Sequence, residues 1–333
     1  MSATETSSTI PPLPSAIRPH VLILELLGSC DMRCPMCVTF THRRPSQRPI
    51  RREHIRERLF KPAVALGISR VALSGGEATL RNDLPDIMRD AVASGLKVTL
   101  CTNLWHTPSD MMREIISIMK GSGSVIRVSF DSIVPYEMQQ IRGADAFDRV
   151  LENIRSLLAL REEFQSNVKI EPVAVIQEVN LHSVIPTLDF LLDEMKPSRV
   201  FVGFRHEFSG VTLDNYHNQE LPAYARPIEN RRQLLTLFFK LHQWAQKESR
   251  LKLFGRFQDW TAFLRDPQCI NRPCGAGRFL YVDAYGLLRP CQMGETYADL
   301  LANDMDVVLA SSGHQAARKL LDVCRICLHG CNT

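Results

Sequence analysis

The chain has no apolar run approaching the ~20 residues that a membrane-spanning helix needs. Its first 15 residues are rich in Ser, Thr and Pro and lack the apolar core of a secretory signal. Charge of one sign is not in large excess either, because a formal net charge of +4 is too small to imply nucleic acid by itself. Low-complexity sequence is absent beyond the N-terminal tail, and no repeat is visible except an alternation of strand-like and helix-like segments. These absences set aside a membrane protein, a secreted protein and a repeat array. They leave a cytoplasmic globular protein with a disordered tail over residues 1–18 as the expectation.

Cysteine is not scarce. Ten in 333 residues are many for a soluble protein, and they are clustered rather than spread. Clustered thiols without a secretory signal suggest metal in a reducing compartment. A hydrophobic content of 45% and a charged content of 23% are those of an ordinary globular protein, and the length accommodates a barrel-sized domain plus a smaller one.

Strands are predicted at 21–27, 70–73, 97–101, 125–130, 168–176 and 199–204, with helices near 51–66, 83–94, 109–120, 146–164 and 182–195. Strands so separated form right-handed βαβ units, and six of them fit a barrel or part of one, with the site at the strands' C-terminal ends. Polar residues gather there, at 74–77, 102–103 and 131–132, at Gln177 and Glu178, and at 205–207. The fold class is therefore α/β, with the barrel over residues 19–250 closed by a helical pattern at 228–248. From 251 to 333 the composition changes, six of the ten cysteines lie on short elements, and a second small unit is expected.

The run GSCDMRCPMCV places Cys30, Cys34 and Cys37 just after the first predicted strand. Three ligands packed so tightly suit a cubane iron–sulfur cluster, whereas structural zinc prefers ligand pairs and a fourth ligand, which neither Cys nor His supplies nearby. Three unrelated buried thiols are the alternative. Some 40 residues on, Ser74-Gly75-Gly76-Glu77 ends the second strand. Two glycines let a ligand approach the backbone, and a carboxylate beside them can take an ammonium group.

Together these motifs resemble the radical S-adenosylmethionine (SAM) superfamily, whose signatures are CxxxCxxC and GGE on a partial (β/α)6 TIM-like barrel. The resemblance implies that Cys30, Cys34 and Cys37 hold a [4Fe–4S] cluster whose open iron takes SAM. It also implies that Gly75, Gly76 and Glu77 bind the methionyl part of SAM. Met36 stands where the family usually has an aromatic residue, and can still pack on adenine. Ser129 and Asp131, in VSFDS, resemble a fourth-strand segment that contacts SAM, and the stretch 141–154 resembles the helix that follows it.

The C-terminal cysteines resemble part of a SPASM domain in its truncated "twitch" form. Cys274 and Cys291 flank a hairpin expected around Asp283–Gly286, and Cys324 and Cys327 follow an amphipathic helix. The resemblance implies that these four hold a second, auxiliary [4Fe–4S] cluster, with Cys269 and Cys331 in reserve. A structural zinc tetrathiolate would satisfy the same pattern.

Several further residues are candidates. Cys331, if unligated, could donate a hydrogen atom to a substrate radical, and Cys101 ends the third strand facing either core or cavity. Trp105, His106, Gln177, Glu178, Arg205, His206 and Glu207 sit at strand ends. Seven arginines and two histidines in 42–58 could steer an anionic substrate or form an ordinary solvated face. The resemblance implies SAM cleavage to a 5′-deoxyadenosyl radical and hydrogen abstraction from a substrate. A small molecule is expected, such as a sugar or aminocyclitol, undergoing oxidation or epimerisation. A ribosomal peptide or an RNA is the alternative. The implied electron donor is a flavodoxin or ferredoxin.

Overall fold

The computed structural model describes residues 19–37, 47–204, 230–265, 275–292 and 294–323. Its strands are β1 (Val21–Glu25), β2 (Arg70–Ser74), β3 (Lys97–Thr102), β4 (Val125–Ser129), β5 (Lys169–Ile176), β6 (Val200–Phe204), β7 (Leu251–Leu253), β8 (Phe279–Val282), β9 (Leu287–Arg289) and β10 (Ala298–Asp299). All ten join one sheet in the order β10-β9-β8-β1-β2-β3-β4-β5-β6-β7. Pairing is parallel from β8 through β1 to β7, and antiparallel only where β9 and β10 are added.

Side-chain alternation gives this sheet two different faces. Leu22, Leu24, Val71, Leu73, Val98, Leu100, Ile126, Val128, Ile170, Val200 and Val202 are all buried. They share one core with the apolar faces of helices Leu84–Ala93, Ser109–Met119 and Phe147–Glu163. Each such side chain contributes ~1.5–3 kcal/mol by leaving water. Residues of the opposite parity, among them Ala72, Ser74, Cys101, Arg127, Ser129 and Val173, are only half-buried and form the lumen wall. The polar members of this set cannot join the apolar layer without losing their hydrogen bonds to water.

Two features depart from the sequence expectation. First, a separate unit is expected from residue 251, yet β7 pairs with β6 and β8 pairs with β1, so the described C-terminal strands extend both edges of the one sheet. The β8–β9 hairpin is present as expected, with Asp283 Oδ1 accepting the Tyr285 and Leu287 amides and Gly286 at a φ of +86°. Second, the helix expected over 141–154 is two helices. Pro135–Arg142 stops at Gly143, whose φ of +64° is the left-handed C-cap that glycine adopts without strain, and Phe147–Glu163 starts afresh.

Part of the basic run is paired with carboxylates. Arg52 pairs with Asp90 at 2.7 Å and Asp86 at 3.0 Å, and Arg58 pairs with Asp304 at 2.6 Å, which fixes the helical stretch 52–65 to the C-terminal segment. No helix among the described residues is long and apolar enough to cross a membrane.

The β1–β8 seam carries a buried polar pair. Tyr281 Oη donates to Glu25, and Asp283 and Arg289 form an ion pair beside it at 3.2 Å. Burial pushes the Glu25 carboxyl up from 4.5 to about 7, with the Tyr281 hydrogen bond opposing. The folded protein thus keeps a proton that the unfolded chain releases, so stability through this group falls as pH rises from 4.5 to about 7. The full loss is about 3 kcal/mol. Glu25→Gln does not titrate, and its thermal midpoint is expected to rise relative to wild type between about pH 5 and about pH 8. A midpoint difference that stays flat over that range contradicts the assignment.

Candidate active site

The cysteine loop leaves the C-terminal end of β1 and is held from three sides. The turn after β2 docks on it through the backbone: Gly76 N donates to Leu27 O at 2.6 Å, Glu77 N donates to Ser29 O at 2.9 Å, and Leu26 N donates back to Ser74 O at 2.8 Å. A Cβ on Gly76 would lie 1.8 Å from Ser29 O, and one on Gly75, at a φ of +118°, would lie 2.6 Å from Leu27 O. The glycines are therefore required for a close approach, but what approaches is the cysteine loop's own backbone.

Glu77 is buried, and its carboxylate gathers four donors. Oε1 accepts from Thr79 N, Thr79 Oγ1 and Thr102 Oγ1, and Oε2 accepts from Asn103 N at 2.7 Å. Burial pushes its pKa up while these donors oppose. Three of the four donors fall on Oε1 and one on Oε2, so the carboxylate ties the β2 turn to the loop after β3.

The loop after β3 makes the second contact. Asn103 Nδ2 donates to Asp31 at 2.7 Å and lies 3.6 Å from Cys30 Sγ, and the His106 ring lies 3.1 Å from Asp31 Oδ2. Trp105 stacks on His106 with ring centroids 4.0 Å apart.

The third contact is Arg142, which the sequence reading missed. It is buried beside the buried Asp131 at 2.5 Å, its Nη1 is 4.0 Å from Cys34 Sγ, and its Nε has no hydrogen-bond partner among the described residues. Asp131, expected among the SAM contacts, is occupied here: it is fully buried and also accepts the Val175 amide at 2.8 Å. Gly143 completes the contact, since a Cβ there would meet Arg33 O at 2.4 Å. An Arg-Gly helix stop was the sequence signal available for this feature.

Met36 Sδ lies 3.8 Å from the buried Gln177 amide, and Ser129 ends β4 on the lumen face. Cys101 shares that face, with burial pushing its thiol up and Arg127 pulling it down. Burial also pushes Cys30 up to about 12 and Cys34 upward. Cys291 follows β9; Cys269, Cys274, Cys324, Cys327 and Cys331, with Arg205, His206 and Glu207, lie outside the described residues.

Among the described residues no group of three His, Cys, Asp or Glu side chains is gathered as a mononuclear ion requires. A cubane does not ask for that convergence, since each thiolate takes its own iron. The donor chemistry fits such a cluster. Cys30 and Cys34, whose thiols burial pushes up, would release their protons on binding metal. Around them stand N–H groups able to serve sulfur, from Met32 at 3.4 Å, Asn103 and Arg142.

A parallel sheet thus carries three thiols on the loop after its first strand, with a glycine turn docked on the backbone of that loop. The radical SAM superfamily model matches residues 24–191, and the chain belongs to that family. Membership implies a [4Fe–4S] cluster and SAM as cofactors. The GTP 3′,8-cyclase of Synechococcus elongatus is 34% identical over 145 residues, covering 42% of this chain and 42% of the cyclase. That of Tolumonas auensis is 24% identical over 209 residues, covering 62% of this chain and 60% of the cyclase. The chain therefore matches less than two thirds of the length of these relatives. The structure of Streptococcus suis SuiB bound to S-adenosylmethionine aligns with a TM-score of 0.68 at 17% identity, over 88% of this chain and 66% of that one. At that identity the likeness is one of fold.

Removing Arg142 leaves Asp131 buried and unpaired, a loss of ~3–5 kcal/mol. Arg142→Met is therefore expected to destabilise the protein by about that amount in denaturant titration. The double variant Asp131→Asn/Arg142→Met should recover part of it. Additive losses would show that the two residues are not coupled.

Proposed function

We propose that Cys30, Cys34 and Cys37 hold the [4Fe–4S] cluster and that Gly75, Gly76, Glu77, Met36 and Ser129 line the SAM position. The observation that carries this reading is the docking of the Gly75–Glu77 turn on the cysteine loop, with Arg142 and Asn103 facing the thiols. Held by these residues and reduced, such a cluster would supply an electron for the reductive cleavage of SAM and so for hydrogen abstraction from a substrate. The chain's own part is electrostatic and geometric. Arg142 offsets negative charge on Cys34, and Asp131 fixes Arg142. Glu77 holds the β3 loop rigid. The half-buried polar residues of the lumen wall are proposed to face the substrate.

The substrate is proposed to be a small molecule rather than a peptide, in keeping with curated relatives whose names identify GTP as their substrate. No comparison supports a sugar, and that expectation is dropped. Oxidation or epimerisation remains the proposed outcome, with Cys101 and Cys331 as candidate hydrogen-atom donors and a flavodoxin or ferredoxin as electron donor. An auxiliary cluster on Cys274, Cys291, Cys324 and Cys327 is proposed as well. Of these four only Cys291 is described.

Anaerobically reconstituted protein given SAM and dithionite is expected to release 5′-deoxyadenosine, and Cys34→Ala is expected to abolish the release. Intact clusters without 5′-deoxyadenosine would overturn the reading. Iron analysis is expected to give about eight irons per chain, and about four would remove the auxiliary cluster.

A further inference from the structure

The lumen wall opposite β1 carries a concentration of positive charge that the cluster and SAM do not use. Arg127 on β4 is in register with Cys101 on one side and Glu171 on the other. Glu171, fully buried, takes Arg127 Nε at 3.4 Å, and takes Arg199 through Nε at 2.8 Å and Nη2 at 2.7 Å. Phe201 orders the pair, its ring centroid lying 4.7 Å from the Arg127 guanidinium and 5.8 Å from that of Arg199. Arg70 on β2 completes the group, bonded only to Thr99 Oγ1 at 3.2 Å among the described residues.

Among the described residues one carboxylate thus faces three guanidinium groups. The neighbouring charges are felt at Arg70: burial, and then Arg127, push its pKa down, Glu171 opposes them, and Arg199 adds a smaller downward push. Holding two uncompensated cations together in a half-buried lumen is costly unless an anion joins them. The donors for one are present. Arg127 spends only Nε on Glu171, Arg70 spends one terminal nitrogen on Thr99, and the Arg127 and Arg199 side chains are each 35% exposed. Guanidinium forks suit an oxyanion better than any other partner.

We propose that Arg70, Arg127 and Arg199 form an oxyanion site that seats a phosphate or carboxylate group of the substrate against the lumen wall. The inference rests on the radical SAM reading for the identity of the lumen as the substrate chamber. Cys101, next in register to Arg127, would then flank the anchored molecule.

The test is isothermal titration of anaerobically prepared full-length protein with inorganic phosphate and, separately, acetate at constant ionic strength. Saturable binding of at least one is expected, and the tighter of the two names the group. Affinity is expected to fall about tenfold or more in Arg70→Gln and in Arg127→Gln, with Arg70→Lys retaining most of it. A wild-type measurement avoids dependence on variant folding: the bound anion is expected to protect Arg70 and Arg127 from phenylglyoxal, mapped by peptide mass. No saturable binding of either anion, equal affinity in the Gln variants, or modification unaffected by the anion overturns the proposal. Release of 5′-deoxyadenosine by the wild type is scored separately, so this inference can fail while the SAM reading stands.

Discussion

The contact between the Gly76 turn and Ser29 is the constraint on which the rest of the site depends. Parallel β1 and β2 bring their C-terminal ends together, but the described part of the cysteine loop, residues 26–37, has no helix or strand of its own to hold it. Three inter-loop backbone hydrogen bonds supply the order, and they form only because two residues without side chains let the chains touch. The same turn carries Glu77 to the end of β3, so the β1, β2 and β3 loops become one unit. Arg142 and Gly143 clamp the far side of that unit, and the Asp131 carboxylate links the clamp to β4 and β5.

Charge is distributed across the lumen in a way the fold makes legible. Glu25 and Tyr281 sit on the β1–β8 side, and Arg127, Glu171 and Arg199 on the β4–β6 side. Strand parity alone assigns these polar residues to one face, because the other face is filled by Leu, Ile and Val under helices. A protein that only needed stability would place apolar residues at these positions as well.

Much of this was readable in the sequence, for physical reasons. Six strands were found because buried parallel strands are short apolar runs between helices of ordinary length, and the cysteine and glycine motifs were found because both are local in sequence. Arg142 was missed because its partners, Asp131 and Cys34, are distant in the chain, and no periodicity marks a buried ion pair. β7 was missed because a three-residue strand carries almost no pattern, and the β8–β9 hairpin was expected but its pairing with β1 was not, since pairing between residues so distant in the chain leaves no local signal. Glu77 was read for its ligand alone, while its four protein donors depend on how β3 lies beside β2. Gly75 and Gly76 were read as admitting a ligand to the backbone, whereas the close approach seen is that of the cysteine loop's own backbone.

The central claim is that the docked glycine turn shapes the three thiols to hold a SAM-responsive cluster. Electron paramagnetic resonance of the dithionite-reduced protein, with and without SAM, tests it most directly when wild type and Gly76→Ala are compared. The expected result is a reduced-cluster signal that SAM alters in the wild type, and that is absent or indifferent to SAM in Gly76→Ala. A Gly76→Ala protein with the wild-type signal and the wild-type response to SAM would contradict the account.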